Sequence, residues 1–330
     1  MADLSPRLRG DRRSGASTDG RGRRSDRAQL LLVGALALAV LFVALALLLN
    51  TAIYTGNLAT REAGVDSPSA LGYVSEVRTA GGEAIRSVNY RNNSSHAALN
   101  ASLGATMRLW DDAAGHHRAV VGDGADADVV GVTNGTRIQQ DDAGRNYTSE
   151  SGAANWTVAD GSDLSGLRSL RLTVDQTFLA SGPGGDVFRL DVASDAGTRT
   201  VSVYTNGGDP EVRVSENGSV TATCAPGSVT GDTFVIDVAN SSVGGASCPG
   251  LAVVEAVGDD LEVSYANGDV AGGAYTMVVD EPQSDLAVSG LASPGSGSPY
   301  WTDALYAADL RVTYRTPNLD YEARIEVVPE

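Results

Sequence analysis

Leu30–Leu49 (LLLVGALALAVLFVALALLL) is an unbroken run of 20 apolar residues without a charge, a proline or an amide side chain. A helix rises about 1.5 Å per residue, so the run reaches roughly 30 Å, the thickness of a bilayer's hydrocarbon core. Ten leucines, three valines and Phe42 each favour insertion by about 0.3–0.6 kcal/mol, on the order of 4–8 kcal/mol together. The sequence therefore predicts one transmembrane helix over residues 29–50, and the rest of the chain divides into what lies before it and what lies after.

Residues 1–28 (MADLSPRLRGDRRSGASTDGRGRRSDRA) are polar, without apolar periodicity, and are expected to be a disordered basic leader. Residues 1–29 hold eight arginines against four aspartates, a net +4, and the total of −17 leaves −21 for the remainder. Arg21, Arg23, Arg24 and Arg27 cluster just ahead of the run. By the positive-inside rule they stay in the cytoplasm, which puts the C-terminal part outside a single-pass cell membrane protein. The lipid bilayer is thus the first expected partner.

A secretory signal has a shorter apolar region followed by a small-residue cleavage box. Here the run ends in Asn50-Thr51-Ala52-Ile53, with no A-x-A box. Cleavage ahead of the run is another matter. Arg27-Ala28-Gln29, directly followed by the apolar run, resembles the class III signal peptide of archaeal type IV pilins and archaellins. The resemblance covers Arg23 to Leu49. It implies that a prepilin peptidase cuts between Ala28 and Gln29, and that the run becomes the first helix of a subunit assembling with other pilin-like subunits. The fifth mature position, often Glu in that family, is Val33 here, and the mature chain would have 330 − 28 = 302 residues. Both features point to a minor subunit. The plain alternative is an uncleaved signal anchor.

All 24 basic residues are arginine, acidic residues number 41, and aromatics make up 5%. This balance resembles that of proteins from extreme halophilic archaea, whose carboxylate-rich surfaces stay soluble in high salt. An outward part this acidic repels phosphate backbones, so no nucleic-acid partner is expected. Cys224 and Cys248 both follow the run; in an oxidising compartment they most simply form one disulfide, two free thiols being the alternative. Eight N-x-[ST] tripeptides, at Asn92, Asn93, Asn100, Asn134, Asn146, Asn155, Asn217 and Asn240, also lie on that side and make it a candidate glycoprotein region.

Residues 51–117 read as a helical stalk and membrane-proximal region. Leu71, Val74, Val77 and, after Gly81-Gly82, Ile85 and Val88 recur near helical spacing, as do Leu99, Leu103, Met107 and Trp110, which predicts two amphipathic helices within 69–112. Their apolar faces are expected to be domain core. From residue 118 to 330 the period becomes two. Leu167–Phe178, Val187–Val192, Thr198–Tyr204, Glu211–Val214, Thr233–Val238, Leu261–Tyr265 and Ala274–Val279 alternate between turn signals such as Asn217-Gly218. A hairpin is expected at the end, with Leu310, Val312, Tyr314, Tyr321, Ala323, Ile325 and Val327 on its apolar face. The fold class is α+β: one membrane helix, a short helical stalk, then a mainly antiparallel β-sandwich ectodomain.

Catalytic signatures are missing. There is no H-E-x-x-H, G-x-S-x-G or Walker-type glycine loop, and the absence of lysine excludes Ser–Lys pairs and Schiff bases. His116-His117 near Asp111-Asp112 reads as a solvated polar turn, and Asp123, Asp126 and Asp128 lack the spacing of an EF-hand loop. No catalytic residue, cofactor or metal is expected. The chain reads as a non-enzymatic cell-surface protein, either a pilin-like subunit or an anchored structural or adhesion protein. A ligand- or sugar-binding ectodomain on an uncleaved anchor is the second reading, and an anchored hydrolase the third.

Overall fold

The apolar stripe predicted between residues 69 and 112 resolves, in a computed structural model, into two helices that lie on a sheet. The structure describes residues 42–43, 68–91, 94–252 and 260–329. The run Leu30–Leu49 lies outside the described residues except for Phe42 and Val43, which are helical and exposed. Residues 51–67, Asn92 and Asn93 lie outside them too. Among the described residues no helix is long and apolar enough to cross a membrane. The chain divides into two units, Met1–Val65 and Asp66–Glu330; everything below concerns the second.

Helix α1 occupies residues 68–91 and α2 is His96–Ala119. Ser95 caps α2, its hydroxyl accepting from Ala98 N at 3.2 Å. The buried stripe of α1 is Tyr73, Val77, Ala84, Ile85 and Val88, and that of α2 is Leu99, Leu103 and Met107. Leu71, expected on this stripe, is instead 63% exposed. Gly81 and Gly82 do not interrupt α1. A Cβ on Gly81 would lie 2.9 Å from both Leu310 Cδ1 and Val327 Cγ1, so glycine here allows the helix to sit directly on the strands. The helices belong to the same compact unit as the sheets and share a core with β13 and β14.

Fourteen strands form two antiparallel sheets among the described residues. In chain order they are β1 (Gly124–Gln140), β2 (Trp156–Asp160), β3 (Leu167–Asp175), β4 (Phe188–Ser194), β5 (Gly197–Asn206), β6 (Asp209–Glu216), β7 (Ser219–Cys224), β8 (Thr233–Asp237), β9 (Ser242–Val243), β10 (Ala246–Ser247), β11 (Glu262–Ala266), β12 (Gly272–Val279), β13 (Tyr300–Thr316) and β14 (Leu319–Val327). The larger sheet runs β10-β9-β8-β3-β12-β1-β13-β14 and the smaller β2-β11-β4-β5-β6-β7. The mainly antiparallel sandwich expected from the alternation is therefore present, with a helical layer added beside it.

One face of the larger sheet serves both cores. Along β1, Ala127, Val129 and Val132 pack under the helices, whereas Ile138 packs into the sandwich core with Leu172, Phe188 and Met277. Two register shifts against β13, between Val129 and Gly131 and between Thr133 and Asn134, lie on this handover. Bulges of this kind increase local twist and re-aim side chains. Among the described residues the opposite face carries a small cluster of Val278, Ala304, Tyr306 and Ala307. The final hairpin packs as its alternation requires: Leu310, Val312, Tyr314 and Val327 are buried against the helices. Thr316 Oγ1 accepts from Asn318 N and Leu319 N at 3.2 and 3.1 Å to close its turn.

Candidate functional site

An open groove of about 760 Å³ lies between α1 and α2. Its walls follow from the helical repeat: Ala80 and Ala84 come from α1, and Met107, Trp110, Ala113 and Ala114 from α2. Small side chains on facing turns keep the helices from filling the space between them. Ser75, Thr79, Ser87 and Thr106 add hydroxyls, and Glu76, Glu83 and His117 stand at its margin.

The end of the groove is held by a charged aromatic cluster. Arg118 donates through Nη2 to both carboxylate oxygens of Glu76, at 2.7 and 2.8 Å. Its guanidinium lies over the rings of Tyr73 and Tyr314, 5.6 and 5.9 Å from the centroids. Tyr73 stacks on Trp110 at 6.1 Å, and its hydroxyl donates to Asp111 Oδ1 at 3.5 Å. Asp111 also accepts from Ala127 N at 2.8 Å, which ties α2 to β1. Burial pushes the Asp111 carboxyl above its usual range, opposed by that backbone bond. Burial and the same carboxylate raise the Tyr73 hydroxyl. These groups hold one another in a structural network; none is a nucleophile beside a base.

The other residues singled out from sequence are dispersed. Arg27, Ala28 and Gln29 lie outside the described residues. Cys224, at the end of β7, is bonded to the buried Cys248, a disulfide that binds the edge of the smaller sheet to the turn Pro249–Leu251. His116 and His117 are on the last turn of α2 and not in a loop, with His116 Nδ1 2.5 Å from Asp112 O. His96 is far along the same helix, its Nε2 2.9 Å from Gly135 O. Asp123 accepts from Tyr314 Oη at 2.5 Å and Asp128 from Arg311 at 2.8 Å, so each of these carboxylates already has a protein partner. Among the described residues no group of three or more His, Cys, Asp or Glu is placed to hold a metal ion.

The asparagines differ sharply. Asn155, Asn217 and Asn240 are exposed; Asn100, Asn134 and Asn146 are half-buried. Asn217 and Gly218, with φ of 49° and 81°, form the two-residue turn between β6 and β7. Asn146 donates through Nδ2 to Asp269 O at 2.5 Å. Asn134 lies in β1, paired with Leu305 of β13 two residues before the ladder to β12 begins, and its Oδ1 is buried.

The alternation of the last strands placed their apolar face from sequence, but which sheet edge stays open depends on strand order, which no local pattern encodes. Likewise the groove depends on which small residues of two helices meet. Compared with protein-family models, with curated proteins and with solved structures, the chain matches none.

Proposed function

We propose that this is a non-enzymatic cell-surface protein of a halophilic archaeon, anchored by one membrane helix and processed as a minor pilin-like subunit. The observation that carries the reading is the Leu30–Leu49 run with Arg27-Ala28-Gln29 directly ahead of it. Hydrolysis of the Ala28–Gln29 amide removes all eight arginines of the leader. Those charges are what hold the N-terminal end in the cytoplasm. Without them, the apolar helix can pass from the bilayer into a helical filament core. The acidic β-rich part then faces the medium, where the Cys224–Cys248 disulfide suits an oxidising compartment.

Mass spectrometry of the N-terminus of protein taken from membranes tests both halves. A chain starting at Gln29, and an unprocessed precursor when Arg27 is replaced by Glu, are the expected results. A membrane-extracted chain that still starts at Met1 rejects processing while leaving the anchor. Release by carbonate washing rejects the anchor itself.

The groove between α1 and α2 favours a second reading, a ligand- or sugar-binding ectodomain on an uncleaved anchor. Trp110 offers a ring for stacking, and Ser75, Thr79, Ser87 and Thr106 offer hydroxyls. That reading requires an intact Met1 and a change in Trp110 fluorescence on adding sugar.

A further inference from the structure

The two sheets have four outer edges, and three are blunted. β10 is only two residues long. β7 is bulged against β6 and bound by the disulfide to the turn that follows Cys248. β2 has five residues, and Asp160 O at its end accepts from Ala287 N at 2.7 Å. Short strands, bulges and covering segments are the usual means of preventing edge-to-edge pairing. β14 has none of them. Its nine residues pair with β13 without a register shift, contain no proline and, among the described residues, receive no backbone hydrogen bond on the outer side. One strand inward, Leu310, Val312 and Tyr314 are fully buried; Tyr321, Ala323 and Ile325 on β14 are only half-buried. The helical layer reaches the end of β14, where Gly81 of α1 lies against Val327, and leaves Tyr321, Ala323 and Ile325 partly covered.

We infer that β14 is the docking edge for a second copy of this chain, paired antiparallel about a two-fold axis perpendicular to the sheet at Ala323. Such an axis keeps both helical layers on one side of a continuous sheet and uses all nine residues of each strand. Tyr321 faces the partner's Ile325, Ala323 its own counterpart, and Glu322 the partner's Arg324. Charge selects this register: centring on Glu322 opposes two carboxylates, and centring on Arg324 opposes two guanidinium groups. Two symmetry-related like-charged contacts are left, each between Glu326 of one copy and Asp320 of the other. Glu326 lines a hollow of about 480 Å³ with Arg78, Arg86 and Glu83, Arg86 being bonded to Glu83 at 2.8 Å, so Arg78 is the cation that stands nearest to where that carboxylate arrives without a carboxylate partner of its own in the hollow's lining. The pairing rests on the sheet alone and holds whether or not the leader is cleaved.

Disulfide trapping in the full chain tests it, because the two native cysteines are bonded to each other and leave no free thiol among the described residues. Ala323→Cys should yield a covalent dimer on mild oxidation, and Val220→Cys on the exposed β7 should not. Glu322→Cys mixed with Arg324→Cys should cross-link as a heterodimer far better than either alone. Arg324→Glu should weaken association roughly tenfold, and adding Glu322→Arg should restore it. The mixed pair substitutes exposed positions only, so it remains informative if Ala323→Cys folds poorly. Absence of cross-links in protein that unfolds at the wild-type temperature overturns the inference, as does capture of a different protein at position 323.

Discussion

Asn89 on α1 and Leu305 on β13, 216 residues apart, are joined by two hydrogen bonds of 2.8 Å: the carboxamide Nδ2 donates to Leu305 O, and its Oδ1 accepts from Leu305 N. β14 ends opposite Ala308, so it does not reach Leu305. The Asn89 side chain takes the place of the absent strand. Because Asn89 is buried, removing its carboxamide leaves both backbone groups without partner or water. Asn89→Ala should cost about 3 kcal/mol, since each buried unpaired group costs roughly 1–3 kcal/mol. Asn89→Asp should cost a similar amount, because a carboxylate cannot donate to the carbonyl. Urea unfolding measures both; a loss below about 1 kcal/mol in Asn89→Ala would mean that Leu305 finds another partner.

Two neighbouring tyrosines in the sandwich core should respond oppositely to loss of their hydroxyls. Tyr147 Oη donates to Thr173 O at 3.0 Å, whereas the buried hydroxyls of Tyr265 and Tyr275 have no partner among the described residues. The rings themselves pack well: Tyr265 stands edge-on to Phe188 at 5.2 Å, Tyr275 at 5.3 Å and Trp156 at 5.8 Å. Tyr265→Phe keeps these contacts and removes an unpaired polar group, so stability should be unchanged or rise by up to about 1 kcal/mol. Tyr147→Phe should lose about 1 kcal/mol, as it strands the Thr173 carbonyl. Parallel thermal melts of the two variants decide the matter, and equal losses would contradict it.

Alkaline pH should unfold the protein through the same cluster. Burial, above all else, raises the hydroxyls of Tyr147, Tyr265 and Tyr275 well above their ordinary range. Tyr204 is pushed up to about 12, first by burial and then by its hydrogen bond to Glu211. The folded state therefore holds these protons more tightly than the unfolded state does. That contribution to stability is fully present below about pH 10, the unfolded value, and is lost as pH rises beyond it. An absorbance titration at alkaline pH should show the buried tyrosines ionising together with the loss of near-ultraviolet circular dichroism. Ionisation of all of them ahead of unfolding would refute this.

How far the sequence carried the fold depends on which side chains each strand needed. The closing hairpin was legible because Leu310, Val312 and Tyr314 alternate with polar residues and face the helices. β1, the strand that joins the two cores, was not. It reads GADADVVGVTNGTRIQQ, and its exposed Asp126 and Asp128 and its glycines resemble a loop. The glycines answer to tertiary packing: a Cβ on Gly135 would fall 2.2 Å from Val279 O on the neighbouring strand. Gly81 in α1 has the same origin. Asn89 gave no local signal either, since its partner is 216 residues away. The disulfide was legible because the chain has only two cysteines.

Of the eight candidate asparagine acceptors, the six that are described should divide by strand position in glycosylated protein. Asn217 occupies a hairpin turn and uses only its Oδ1, which accepts from Thr198 N at 3.0 Å. Asn155 likewise accepts from Asn267 N at 3.0 Å. In both, the exposed residue can carry a glycan on Nδ2 without breaking those bonds. Asn240 donates through Nδ2 to Asp237 Oδ2 at 3.1 Å, a surface contact that a glycan would replace cheaply. Asn134 is different in kind. It pairs with Leu305 of β13, and the threonine of its tripeptide, Thr136, where β1 becomes paired on both sides, is fully buried with its hydroxyl bonded to Glu281 O at 2.7 Å. A glycan there could not be accommodated between the sheet and α2. Glycopeptide mass spectrometry of protein from native membranes should find sugar at Asn155, Asn217 or Asn240 and none at Asn134. Substantial occupancy of Asn134 in folded protein would be incompatible with its pairing to Leu305 of β13 and with the burial of Thr136.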